Sequence, residues 1–149
     1  MESITIRGLD QAIARFDRLQ VASALKAGIR KSIFTLEARA KKETPVGVSG
    51  FLRNAYREDF DGLKGELVNT KEYARYVHEG RKPGKMPPIG LIALWARRKG
   101  LAIPAFVIAR SIAKKGTKAN PFLKRSAQME ESNIRSILQG EIRILISKT

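Results

Sequence analysis

His78-Glu79 is the adjacent pair in this sequence whose side chains could share acid–base work. Sequence neighbours do not face each other on a helix, and on a strand they point to opposite faces. Catalysis would also need further groups converging on the histidine. The plainer reading is a packed or surface histidine near a helix end. Asp59 and Asp61 stand at strand spacing and could pair as carboxylates, but beside Asp61-Gly62 they read as turn formers. There is no glycine-rich phosphate loop and no G-x-S-x-G elbow. One histidine and no cysteine exclude multi-histidine and thiolate metal sites within one chain. The lack of cysteine also excludes a disulfide scaffold and fits a reducing cytoplasm. The residues therefore lead us to expect no catalytic group, no cofactor, no metal and no enzymatic activity.

Charge is the more informative chemistry. The net charge is +15, from 29 basic and 14 acidic residues. Arg81 to Met129 holds 12 basic residues and no acidic one, whereas the rest of the chain is close to balance. Arg97, Arg98 and Lys99 end one expected helix, and Lys114 and Lys115 end the next. Cations in a last helical turn favour its negative end, which accounts for several of these without any partner. It does not account for the missing acids, because surfaces normally mix both signs. The candidate partner- or DNA-facing residues are Arg81, Lys82, Lys85, Arg97, Arg98, Lys99, Lys114, Lys115, Lys118, Lys124 and Arg125. Helix-turn-helix, zinc-finger and RNA-binding aromatic motifs are absent, so any DNA contact would be through phosphate charge. Trp95, Phe106 and Phe122 lie in apolar stretches and read as core rather than as stacking platforms.

The elements that would position these groups follow from periodicity. SITIRG (residues 3–8) alternates as a short strand. Asp10 can cap a helix with Leu9, Ile13, Phe16 and Leu19 on its apolar face. A long helix is expected from about Ala22 to Glu43, with Leu25, Ile29, Ile33, Leu36 and Ala40 on one side. Thr44-Pro45 stops it, and Gly28 within it marks a close contact or a bend. Phe51–Phe60 and Gly65–Thr70 read as strands joined at Asp61-Gly62. Tyr73–His78 is a short helix or strand, and Arg81–Pro88, with three prolines, is an exposed loop. Short helices follow at Leu91–Lys99, with Trp95 inward, and Ala105–Lys115, with Ile108 and Ile112 inward. Pro121 opens a last helix through Leu123, Ala127, Ile134 and Leu138. Beyond Gly140, helix and strand fit equally.

A chain of 149 residues with 43% hydrophobic content suits one compact domain with its own core. No linker or repeat divides it. No apolar run approaches the roughly 20 residues of a membrane span, and MESITIRGLD lacks the pattern of a signal peptide. A soluble protein made in the cytoplasm, with no membrane contact, is the expectation.

Four stretches carry a resemblance to a known family. They are AKKETPVGVSGFLRNAY, EYARYVHEGRKPG, PPIGLIALWARRKGL and ARSIAKKGTKANPFL. In this order and spacing the chain resembles the minor virion protein family named after gene product ten of a lambda-like coliphage. These are tail-completion or neck-type proteins encoded among head–tail joining genes. The likeness runs from ITIRGLD to about Ala127. It departs at Pro45–Gly50, which lacks the family's acidic residue and carries an extra glycine, while Ser49-Gly50 matches.

The resemblance implies an α+β domain, a small antiparallel sheet packed against one long helix and several short ones. It implies a non-enzymatic structural role at the head–tail junction of a long-tailed bacteriophage, in host cytoplasm during assembly and in the virion afterwards. Subunits would form a ring, expected as a hexamer, by head-to-tail contacts that close by rotation. The expected partners are other copies, the tail tube or terminator, and the head-side connector proteins, with non-specific contact to genomic DNA in the channel. Tail-terminator and head-closure roles, and a soluble nucleic-acid-binding accessory protein, are the alternatives.

Overall fold

The structure, a computed structural model, describes residues 3–6, 21–47 and 49–147. The protein is α+β, as its sequence leads one to expect. Strand β1 (Ser3–Ile6) is followed by the long helix α1 (Val21–Glu43), the hairpin β2 (Tyr56–Asp61) and β3 (Lys64–Asn69), and short helix α2 (Ala74–Glu79). Helices α3 (Ile89–Arg98), α4 (Ala105–Lys115) and α5 (Phe122–Ser147) complete it. The helix expected from Asp10 lies outside the described residues.

The sheet is antiparallel in the order β1-β3-β2. Asp61 pairs with Lys64, so a two-residue turn at Gly62-Leu63 closes the hairpin, with Gly62 at φ 56°. Side chains alternate along a strand. Leu67 is thereby buried, and Gly65 comes so close to α1 that a Cβ there would lie 2.7 Å from Ile29 Cγ2. The expected strand over Phe51–Phe60 begins only at Tyr56. Residues 51–54 form a turn instead, because Asn54 N–H donates to the Gly50 carbonyl (3.1 Å) and the Asn69 side chain donates to the Leu52 carbonyl (2.8 Å).

Helix α1 buries the stripe expected of it, Leu25, Ile29, Ile33, Leu36 and Ala40. Its main partner is α5, and the two run antiparallel. Lys31 pairs with Glu141, Arg39 with Glu130 (2.7 Å) and Glu43 with Arg125 (2.7 Å), successive ties along the crossing. Gly28 marks a close contact, since a Cβ there would sit 3.0 Å from Leu138 Cδ2. The core gathers Leu36, Ala40, Leu52, Leu67, Ala74, Phe122 and Leu123. Phe122 is wholly buried and packs against His78 in a T-shaped pair, 5.4 Å between ring centroids. The ambiguous sequence after Gly140 continues α5 as helix to Ser147.

Helices α3 and α4 stand apart from this body. They pack on one another, and neither shares an extensive contact with α1, α5 or the sheet. Their most buried residues are alanines, Ala96 and Ala109. Trp95, expected inward, is half-buried, as are Ile108 and Ile112. Phe106, expected in the core, is 50% exposed. A helix pair whose extensive contact is with one another has no second wall against which to bury large side chains.

A basic helical arm as candidate functional site

The arm begins and ends at a narrow neck. Arg81 N–H donates to the Thr117 carbonyl (3.1 Å), and Thr117 N–H returns a bond to the Arg81 carbonyl (2.8 Å). Gly84 N–H donates to the Ala113 carbonyl (2.8 Å), tying the proline-rich loop to α4. Two glycines let the chains approach this closely. Gly80 has φ 82°, and a Cβ there would lie 2.6 Å from the Thr117 carbonyl oxygen. Gly116 has φ 73° and ψ −161°, a conformation nearly confined to glycine. A Cβ at Gly116 would overlap the Arg81 carbonyl oxygen. Just beyond the neck, Asn120 N–H donates to the Val77 carbonyl (3.0 Å), fixing the exit to α2.

Most of the basic residues singled out in the sequence fall on this arm. Arg81 is at the neck, half-buried, its guanidinium donating to the Lys85 carbonyl. Lys82 and Lys85 lie exposed in the loop, and Arg97, Arg98 and Lys99 are exposed at the end of α3. Lys114 and Lys115 are exposed at the end of α4. Among the described residues, no carboxylate forms an ion pair with any of these side chains. Lys118 and Lys124 are also exposed but belong to the exit and to α5.

Arg125 does not belong with them. Its guanidinium bonds Glu43 (2.7 Å) and Asn120 (3.1 Å), so it holds α5 to the end of α1. The absence of acids nearby in sequence hid a partner 82 residues away. Arg110 was not among the singled-out residues. It is exposed on α4, on the same face as Lys114, four residues on.

The sequence reading also missed an apolar surface. Leu91 and Leu94 on α3 are 61% and 48% exposed, and Phe106 and Val107 on α4 are 50% and 52% exposed. A signal was present: both helices carry apolar residues around more of their circumference than one buried stripe requires. Spacing places Leu91, Leu94 and Arg98 on one side of α3, and Phe106, Arg110 and Lys114 on one side of α4.

Compared with protein-family models, curated proteins and solved structures, the chain matches none. The arm's own chemistry is therefore the basis for reading it. The other candidate groups are engaged in the fold. His78 is buried against Phe122 while Glu79 is exposed near Arg75. Asp59 and Asp61, expected as turn formers, both lie in β2, paired across the hairpin with Glu66 and Lys64; Asp59 bonds Arg57 (2.9 Å), and Asp61 is exposed at the strand's last position. Among the described residues, no group of three or more His, Asp or Glu is placed to hold a metal ion. No helix among them is long and apolar enough to cross a membrane.

Among the described residues, two carboxyls are shifted. Asn133 and Arg39 donate to Glu130 and hold it below the usual carboxylate range. Partial burial and the neighbouring Glu37 carboxyl push Glu58 up. Both belong to the body, not to the arm.

Proposed function

We propose that this chain is a non-enzymatic structural protein of the head–tail junction of a long-tailed bacteriophage, of the tail-completion type. The sequence resemblance supplies the setting. The observation that carries the reading is the arm: a positively charged helical hairpin, attached to the body by a glycine neck and without a single acidic residue from Arg81 to Thr117. Such a hairpin gains little from its own packing, because short helices are marginal alone and only alanines are fully buried between these two. It makes physical sense as a surface completed by assembly. In this reading the body of α1, α5 and the sheet builds a ring, expected to be hexameric, between tail tube and head-side connector. Repetition around the ring multiplies each weak contact of the arm. The arm's lysines and arginines would meet acidic surfaces of partner proteins, and any cation that faces the channel would hold phosphates without reading sequence.

The test is Lys114→Glu with Lys115→Glu in the phage. Heads and tails that accumulate unjoined are the expected result, and normal joining removes the arm from the reading. A nucleic-acid-binding accessory role rests on the charge alone. It predicts tight, steeply salt-dependent DNA binding by the isolated monomer.

A further inference from the structure

Resting on the junction reading, we infer that the arm's outer face docks an acidic protein surface that also presents apolar side chains, rather than a second copy of this chain or a nucleic acid. Charge and exposed apolar groups occur together on each helix of the arm. Leu91 and Leu94 share one side of α3 with Arg98, and Phe106 shares one side of α4 with Arg110 and Lys114. The short connection 99–104 sets the basic end of α3 beside the apolar start of α4. Apolar and cationic side chains thus alternate along the exposed side of each helix.

A phosphate backbone would use the cations and leave these three apolar side chains in water. An interface core that excludes water, rimmed by charge, uses both. A second copy is a poor source of the opposite charge. Every copy carries +15 and repels its neighbour at long range. Eight of the eleven described carboxylates already lie within ion-pair distance of a cation of their own chain. Docking the arm on another body would break those pairs or leave the arm uncompensated. The fitting occupant has carboxylates flanking leucine-like side chains, as on an acidic amphipathic helix.

The test uses the full chain and three fluorescent probes at low and high salt. One is a helical peptide with leucine on one face and glutamate around it. The second has the same length and charge with serine for leucine, and the third is a duplex DNA. The leucine peptide should bind more tightly than the serine peptide by on the order of 30-fold, from burying the remaining exposure of about two such side chains. L94S with F106S should abolish that preference and leave a salt-sensitive remainder. R98E with R110E should weaken both peptides. Both pairs alter exposed positions, so the core is untouched.

Equal binding of the two peptides, or preference for DNA over both, overturns the inference in favour of a plain polyanion surface. Self-association of the wild-type chain that L94S with F106S abolishes overturns it in favour of a second copy. A chain that shows no peptide preference yet is needed for joining heads to tails sinks this inference and spares the junction reading. Peptide preference in a chain that joining does not need supports the docking surface and sinks the junction reading alone.

Discussion

Gly116→Ala tests whether the arm is a separate unit. At φ 73° and ψ −161° an alanine is strained by roughly 1–3 kcal/mol before any contact is considered. Its Cβ would also overlap the Arg81 carbonyl oxygen, so the two chains of the neck cannot both stay in place. Separating them breaks the paired bonds between Arg81 and Thr117, at 3.1 and 2.8 Å. Each is worth about 0.5–1.5 kcal/mol net, so opening the neck costs about 1–3 kcal/mol. That is no more than holding alanine in place, and the neck should open. Because α3 and α4 share no extensive contact with the core, the opening should stay local. Amide exchange followed by NMR reads it out. The amides of Arg81, Gly84 and Thr117 should exchange roughly 5- to 150-fold faster, while those of Leu36 and Leu123 keep their rates. Unchanged exchange at the neck would refute the steric argument. Loss of protection in the neck and the core together would refute the separateness of the arm.

Two further expectations concern the body. Glu130→Gln should cost about 1–2 kcal/mol at neutral pH, through weaker bonds from Arg39 and Asn133, the half-exposed Arg39 keeping the loss modest. Glu130 titrates lower folded than unfolded, so its contribution is present above the unfolded pKa and is lost as pH falls through the folded one. Urea melts of the two proteins should therefore converge in acid, and a constant difference down to the most acid conditions would contradict the assignment. Glu58→Gln should act in the opposite sense. Its carboxyl is raised in the folded state, so the fold favours the protonated form, and that advantage fades as pH rises through the folded pKa. Glutamine mimics the neutral form, so the variant's melting temperature should exceed wild type at neutral pH and match it in acid. A lower melting temperature at neutral pH would show that the Glu58 charge is needed.

Local rules made the body readable from sequence. The stripe on α1 has the helical period and no competing pattern, and Asp61-Gly62 is a strong turn signal, so the helix falls where expected and the hairpin turns one residue later, at Gly62-Leu63. Gly28 was legible as an anomaly, since a glycine inside a strong helix needs a cause, here Leu138 across the crossing. The strand before Tyr56 was misjudged because the bond from Asn69 to the Leu52 carbonyl is a tertiary event that no local pattern encodes. The burial of Trp95 and Phe106 was overestimated for a related reason. An apolar face predicts that something covers it, not that the cover lies within the same chain. Arg125 shows the converse: it looked available because its carboxylate partner lies on another helix.

The 26 residues of α5 give it a length of about 39 Å. It starts at Phe122, five residues after Thr117, and Phe122 is locked in the core. A pull on the arm is therefore delivered at one end of a stiff rod, whose other end is braced on α1 by Lys31 and Glu141. The rod cannot swing without shearing the whole α1–α5 seam, so the molecule is compliant outside the neck and rigid inside it. Tension arriving at the hairpin would bend the junction at Gly80 and Gly116 before it disturbed the body.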